Sequence, residues 1–545
     1  MTYYSQPQPE TPARRQQGQV CRLQKTISAV LVAAGSSTRM GFDKLSFDLG
    51  GETVLHRSIR AFDQCPQIGE IVLVAGKNRA FVEQQAVGCT KPVQIVAGGA
   101  TRAESAKNGV LAAHGELVAV HDAARPFVSP AVIAAVLEAA ARCGAAAPAV
   151  PVKDTIKQAV PGDGKTVPEA CLVHSTPDRS TLYAVQTPQC FDRAQYLAAL
   201  QELAARHRRE LGIPILAITG SNGKTTTKEL VGRVLSRKFR TAVTQGNLNN
   251  HIGVPLTLLA MDRSVEIGVV EMGASHPGEI ALLCSIARPD YGLITNIGKA
   301  HLEGFGGIEG VMRGKGELLD FLVASGGTAF WLNDSDCLKT MVESRPGLRA
   351  ISYSAPEAIG TEPFVEARWD GLSVRTRLVG DYNRSNIAAA IAVGLYFGIG
   401  RAEIVSAIES YDPDNNRSQK RQTAFNTLIS DCYNANPSSM QAALDNFLRE
   451  ADPRPKAVVL GDMGELGPYA AVEHRTVIER LEQGGIEEAY LVGGHFAEAA
   501  RGSRYRTFAD TEALARYLDE HPIRNRLVLV KGSRANRLEK IAEKL

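Results

Sequence analysis

Short apolar runs that end in glycine or another small residue recur along the chain. "TISAVLVAAG", from Thr26, is rich in β-branched residues and predicts a buried strand entering a loop. "IGEIVLVAG", "PVQIVAGG" and "ELVAVHDAA" repeat that form, with helical patterns between them. "SPAVIAAVLEAAARCG" carries the end signals of a helix: Ser129 as N-cap, Pro130 in the first turn and Gly144 after the last. Strands alternating with helices predict an α/β domain with a mainly parallel sheet, whose ligands lie beyond the carboxyl ends of the strands.

The rhythm restarts past Pro214. "PILAITG" predicts a strand and a helix opens at Lys224; "EIGVVEMGA" and "YGLITNIGKAH" predict two more strands ending in polar loops. Near "SYDPDNNRSQ" the pattern shifts again, and "TLISDCYNANP", "PKAVVLGDMGELG", "EAYLVGG" and "LVLVKGS" form a further α/β unit. The expected segments are a tail at 1–25 and domains at 26–202, 203–410 and 411–545. Across the middle boundary, "LQELAARHRREL" predicts an amphipathic helix with Leu197, Leu200, Leu203 and Ala204 on its apolar face.

Composition narrows the class. At 545 residues, the chain is too long for one core. A net charge of +3 gives no reason to expect nucleic acid as a partner. None of the 9 cysteines forms a C-x-x-C pair, so neither a zinc site nor a disulfide framework is indicated, and a reduced cytoplasm is the expected home. The polar, Gln- and Pro-rich start lacks the apolar stretch of a secretory signal and reads as a disordered tail. No apolar run is long enough to cross a bilayer.

The first chemistry lies in "AAGSSTRMGFDK". Small residues at 33–37, Gly35 among them, let backbone N–H groups approach a triphosphate, and Arg39 and Lys44 supply two cations for the charge that builds in phosphoryl transfer. Alone, the stretch also fits a glycine-rich turn with two solvated charges. "GGATRAESAKNG", "HDAARPF", "VPVKDTIK" and "DRSTLYAVQTPQCF" follow in order. Together these motifs resemble 2-C-methyl-D-erythritol 4-phosphate cytidylyltransferase over roughly 26–200. The resemblance implies attack of methylerythritol phosphate on the α-phosphorus of CTP, with release of pyrophosphate. It gives Arg39 and Lys44 to the transition state, and Gly98, Gly99 and Ser105 to the cytidine end. Asp122, Arg125 and Thr187 go to the second substrate, with Thr155 and Arg179 reaching it from the partner of a homodimer. His121 reads as a packed strand histidine without a role. The family continues with a further strand and an Asn-x-Lys-x-Thr segment whose lysine contacts phosphate. Here "QYLAALQELAARHRRELGIPILAITGSNGKTTT" leads into other chemistry, leaving a sheet edge open.

That second chemistry is "TGSNGKTTTKE", a shortened P-loop. Gly220, Asn222, Gly223 and the helix N-terminus offer backbone amides to phosphate oxygens, Lys224 a cation, and Thr225 and Thr226 hydroxyls. With "TQGNLNNHIGVPLTLL", "VVEMGASHPGEI", "ITNIGKAHLEGFG", "GKGELLDFL", "GDYNRSNIAAAIAVG", "DCYNANPSSM" and "LGDMGELG", it resembles UDP-N-acetylmuramoyl-tripeptide–D-alanyl-D-alanine ligase over about 201–545.

The resemblance implies an α/β chain: a nucleotidyltransferase Rossmann-like domain, a Mur ligase P-loop central domain and a Rossmann-like C-terminal domain. It implies ATP as substrate, Mg²⁺ held by Thr225, Glu271 and His301, and Lys315 as a further ligand if carbamylated. Asn296 and Asn386 would face adenine or ribose, Arg417 and Asp431 would close over the nucleotide, and Tyr433, Asn434 and Asn436 would line the cleft. The family's UDP-sugar-binding domain is replaced here by the first module. The expectation is a bifunctional fusion enzyme; the other reading is a fusion that binds CTP and ATP with little turnover.

Overall fold

A computed structural model describes residues 25–35, 43–161, 171–360, 364–413, 419–432, 434–542 and 544–545. Residues 1–24 of the tail expected at 1–25 lie outside the described residues, as do Arg39, Arg417 and Tyr433. The chain divides into two compact units, the first ending at Ala199 and the second beginning at Leu200.

In the first unit, parallel strands Val93–Ala97, Glu70–Ala75, Ile27–Ala33 and Leu117–Asp122 stand side by side in that order. Antiparallel Gln189–Asp192 extends the sheet, and the two-residue Ala145–Ala146 closes its edge. Among the described residues no strand pairs beyond Ala145–Ala146. Helices Val54–Asp63 and Pro130–Cys143 pack one face into a core holding Leu31, Leu55, Phe62 and Leu137; Arg102–Ala112 covers the other. The helix signals act as expected. Ser129 accepts the Val132 N–H, Pro130 occupies the first turn, and Gly144 ends the helix at φ +82°. Two small antiparallel pairings, Ala149–Pro151 with Tyr183–Val185 and Gln158–Pro161 with Cys171–Ser175, form an arm.

The second unit holds two six-stranded sheets. One is wholly parallel, in the order Thr241–Val243, Ile267–Glu271, Ile215–Thr219, Tyr291–Ile294, Thr328–Leu332 and Arg349–Tyr353. The other runs Gln419–Gln422, Thr427–Asp431, Leu527–Lys531, Lys456–Gly461, Glu488–Val492 and Arg506–Phe508, with only the first strand antiparallel. Fully buried strands such as "ILAIT" follow from helices covering both faces.

One uninterrupted helix, Arg193–Leu211, carries the chain across the boundary. Its predicted apolar face is corrected. Leu203 is 56% exposed, whereas Ala204 and Arg208 are buried. The Arg208 guanidinium donates to the carbonyls of Ala287 (2.9 Å) and Arg288 (3.1 Å) and to Asp290 (2.9 Å). Those carbonyls end a neighbouring helix, where a cation is favoured.

Candidate active sites

The second unit's site is built on the P-loop. Strand Ile215–Thr219 hands over to Gly220, and helix Lys224–Leu235 opens from Gly223 in the left-handed conformation at φ +79°. A Cβ on Gly223 would lie 2.6 Å from Asn386 Oδ1, so both backbone angle and space demand glycine. Lys224 Nζ donates to the Gly220 carbonyl at 2.7 Å, which folds its ammonium back over the loop. The Thr225 hydroxyl donates to Glu271 Oε2 at 2.9 Å, and the Asn249 amide to Oε1 at 2.8 Å. Buried Lys228 lies 4.0 Å from the same carboxylate.

These residues open into a cavity of about 820 Å³, which Asn222, Gly223, Lys224, Thr225, Thr226 and Glu271 line together with Asn296 and His301. Asn386 lines it from the neighbouring helix, Asp431 and Lys531 from the last sheet, and Asn434 and Asn436 from the loop that follows Asp431. Two of these lining residues, expected to face adenine or ribose, are hydrogen-bonded to neighbouring side chains and backbone. Asn296 accepts from the Asn222 N–H and donates to the Asn222 carbonyl, both at 3.0 Å. Asn386 accepts from Thr227 (3.0 Å) and donates to Asn383 (2.8 Å). With their amides engaged this way, Asn296 braces the P-loop at Asn222 and Asn386 ties its own helix to the helix that follows the loop, and both still line the cavity. Asn436 caps helix Pro437–Arg449 through Ser439 and donates to Asn222 Oδ1 at 2.7 Å. Asp431 is paired with Lys531, whose ammonium is buried.

Lys315 lies just behind the cavity wall, donating to the Ala274 carbonyl at 3.0 Å and lying 5.2 Å from the Phe305 ring. Burial, aided by the nearby Lys224 charge, pushes its ammonium down to about 7. Among the described residues, no group of three or more His, Cys, Asp or Glu side chains gathers as a metal cluster. The Thr225 hydroxyl beside the buried Glu271 carboxylate is nevertheless an oxygen donor pair suited to a hard divalent cation.

In the first unit, Gly35, Gly98, Gly99, Asp122 and Arg125 stand at or just past the carboxyl ends of strands Ile27–Ala33, Val93–Ala97 and Leu117–Asp122. Gly98 has no room for a side chain: a Cβ would lie 2.3 Å from Ala34 Cβ. The Ser105 hydroxyl accepts the Gly99 N–H at 3.0 Å and donates to the Thr101 carbonyl at 2.9 Å. Lys44 opens a short turn, Lys44–Ser46, while a Cβ on Gly35 would meet nothing within 4 Å among the described residues. Asp122 is bridged by Arg102 (2.7 Å) and Arg125 (3.5 Å); the sequence reading passed over Arg102. Arg125 also donates to Gln186.

His121, given no role from sequence, organises this corner. Its Nε2–H donates to the Arg125 carbonyl (3.1 Å), so in the neutral ring Nδ1 accepts from the Thr187 hydroxyl (2.9 Å). Burial drives its pKa down to about 4, keeping the ring neutral. Thr187, expected to bind phosphate, gives its hydroxyl proton to His121. Thr155 and Arg179 lie exposed on the arm, with Arg179 donating to the Lys153 carbonyl at 3.0 Å.

Fold and sites thus define two nucleotide-handling classes in one chain, a nucleotidyltransferase followed by a P-loop ligase. Residues 27–210 match the family model of 2-C-methyl-D-erythritol 4-phosphate cytidylyltransferase. Residues 218–394 match the Mur ligase middle domain and 416–534 the Mur ligase glutamate ligase domain. The UDP-N-acetylmuramoyl-tripeptide–D-alanyl-D-alanine ligase of Bacillus subtilis is 33% identical over 363 residues, which span 64% of this chain and 79% of that protein. A bifunctional IspD/IspF enzyme of Anaeromyxobacter is 42% identical over 225 residues, or 38% of this chain and 56% of that protein. The crystal structure of MurF from Acinetobacter baumannii superposes with a TM-score of 0.60 at 30% identity, covering 67% of this chain and 82% of that one. The chain belongs to the UDP-N-acetylmuramoyl-tripeptide–D-alanyl-D-alanine ligase family and carries, ahead of its ligase domains, a domain of the 2-C-methyl-D-erythritol 4-phosphate cytidylyltransferase family.

Proposed function

We propose that the chain is a bifunctional enzyme. Its first unit transfers the cytidylyl group of CTP to 2-C-methyl-D-erythritol 4-phosphate. Its second joins D-alanyl-D-alanine to UDP-N-acetylmuramoyl-tripeptide with ATP. The observation that carries the ligase reading is a single cavity that Lys224, Thr225, Glu271 and His301 share with Asp431 of the last sheet and Asn436 at the start of the helix after it. The P-loop amides and Lys224 bind the phosphates and favour transfer of the γ-phosphoryl group to the peptide carboxylate. The dipeptide amine then displaces phosphate from that acyl phosphate.

Thr225, Glu271 and His301 would hold Mg²⁺, which neutralises phosphate charge when bound. A Lys315 ammonium pushed down to about 7 leaves much neutral amine at neutral pH, the form that adds CO₂ to give an anionic carbamate and a released proton. In the first unit, the loop ends around Gly98, Ser105, Asp122 and Arg125 support the cytidylyltransferase reading. A homodimer through the arm and a cytoplasmic setting belong to the same reading. Val150, Tyr183 and Val185 expose 52–58% of their surface on the arm, and the cysteines at 65, 89, 143, 190, 284, 337 and 432 are unpaired. No helix among the described residues is long and apolar enough to cross a membrane.

Two product assays on the whole chain test this. Phosphate should leave ATP only when both peptide substrates are present, and pyrophosphate should leave CTP only with methylerythritol phosphate. Lys224→Ala should cut the first rate by at least about a hundredfold and leave the second intact. Background rates in both assays would overturn the reading in favour of a fusion that binds nucleotides without turnover.

A further inference from the structure

His301, on the central domain, meets Glu465, on a loop of the last domain: imidazole Nδ1 and carboxylate Oε2 are hydrogen-bonded. Both residues line the cavity that holds Thr225 and Glu271. Both also stand in the left-handed backbone region, His301 at φ +53° and Glu465 at φ +59°. Non-glycine residues held there cost energy and persist where surrounding structure over-determines them.

The surroundings of Glu465 are built in that way. At the start of its loop, Asp462 accepts the N–H groups of His495 (3.0 Å) and Phe496 (2.9 Å). The Met463 N–H donates to Nε2 of the fully buried His474 (3.0 Å), whose Nδ1 in turn donates to the Ala470 carbonyl (2.7 Å). The Glu465 carbonyl accepts the Glu303 N–H at 3.2 Å, which ties the loop to the turn that carries His301. Two further bonds hold the same turn from the last domain: the Ser438 hydroxyl accepts the Lys299 N–H (2.8 Å), and the Lys299 ammonium pairs with Glu473 (2.6 Å).

A carboxylate only accepts, so Nδ1 carries the proton and the neutral ring presents its lone pair at Nε2. A carboxylate on the far nitrogen of a metal-binding histidine fixes its tautomer, sets the ring's direction and raises its basicity. We propose that Glu465 positions His301 for the divalent cation of the nucleotide, so that the last domain completes the metal site of the central domain. The proposal rests on the ATP-ligase reading of this cavity. In this role Glu465 is a positioning residue that acts through His301. Cation affinity and closure of the two domains then become one equilibrium.

The test is binding of Mn²⁺ to the full chain with saturating ADP, followed by loss of the free-ion electron paramagnetic resonance signal. Glu465→Ala should weaken Mn²⁺ roughly tenfold to a hundredfold. Glu465→Gln should weaken it less, because its amide oxygen still accepts from the ring. Glu473→Gln, which removes the neighbouring bridge without touching His301, should change Mn²⁺ affinity by less than either. Melting temperatures check that each variant is folded, and Glu465→Asn, better tolerated in the left-handed region, replaces one that is not. Equal Mn²⁺ affinity in wild type and Glu465→Ala would overturn the proposal. So would equal losses in Glu465→Ala and Glu473→Gln, since the contact would then be a general interdomain bond. A wild-type chain that binds neither ADP nor Mn²⁺ would instead overturn the ATP-site reading on which the proposal stands.

Discussion

His121 is wholly buried, with its ring 5.0 Å from that of Phe62 and both nitrogens bonded. Its folded pKa of about 4 lies below the ordinary 6.5. Between those values the unfolded chain binds more protons than the folded one, so stability rises with pH. The first unit should therefore lose stability as pH falls from about 6.5 toward 4, by at most about 3 kcal/mol. His121→Asn should lower stability at neutral pH and flatten that slope. Thermal melts of both proteins across pH 4–8 check it, and an equal slope in the variant would refute it. The same corner shows what was legible in the sequence. Gly98, Ser105, Asp122 and Arg125 were readable because each sits in a motif whose chemistry needs that residue type. The bonding of Thr187 was not, because its partner lies 66 positions away. Asn296 and Asn386 line the cavity, but their bonds to Asn222 and Thr227 depend on atoms brought together only by the fold.

At the scale of elements, the helix Arg193–Leu211 gives the sharpest comparison. Its apolar periodicity pointed Leu203 inward, yet the buried stripe runs through Ala204 and Arg208 to the partly buried Leu211. A pattern that scores only apolar residues cannot see an arginine buried for its hydrogen bonds to helix-end carbonyls. Arg208→Met should cost about 1–3 kcal/mol, because carbonyl partners lose their donor. Leu203→Lys should stay within about 0.5 kcal/mol of wild type. Urea unfolding of the two variants checks both values, and a larger loss in Leu203→Lys would restore the sequence-based face. Strands and helix starts were more legible. Buried parallel strands read as unbroken apolar runs, and glycine, proline and serine marked the ends at Ser129, Gly144 and Gly223. The arm's pairings were not legible in detail, since their residues alternate too briefly to set a register.

For the molecule as a whole, the arm carries the prediction about assembly. Val185 is 57% exposed on an antiparallel pair whose same face also carries Tyr183, 58% exposed. If a second copy covers this surface, Val185→Asp should shift the mass seen by light scattering from dimer to monomer. Pyrophosphate release from CTP should fall with it, because Thr155 and Arg179 would lose the neighbouring site, while phosphate release from ATP should persist. A wild-type chain that is monomeric at all concentrations would refute this. The helix at the boundary has its own consequence. It is a single 19-residue segment, and isolated helices shorter than about 12–15 residues are marginal in water. Severing the chain between Ala199 and Leu200 would leave two fragments, neither long enough to stay helical unaided. Evolution or a protease could thus divorce the two enzymes cleanly only by granting the whole helix to one of them.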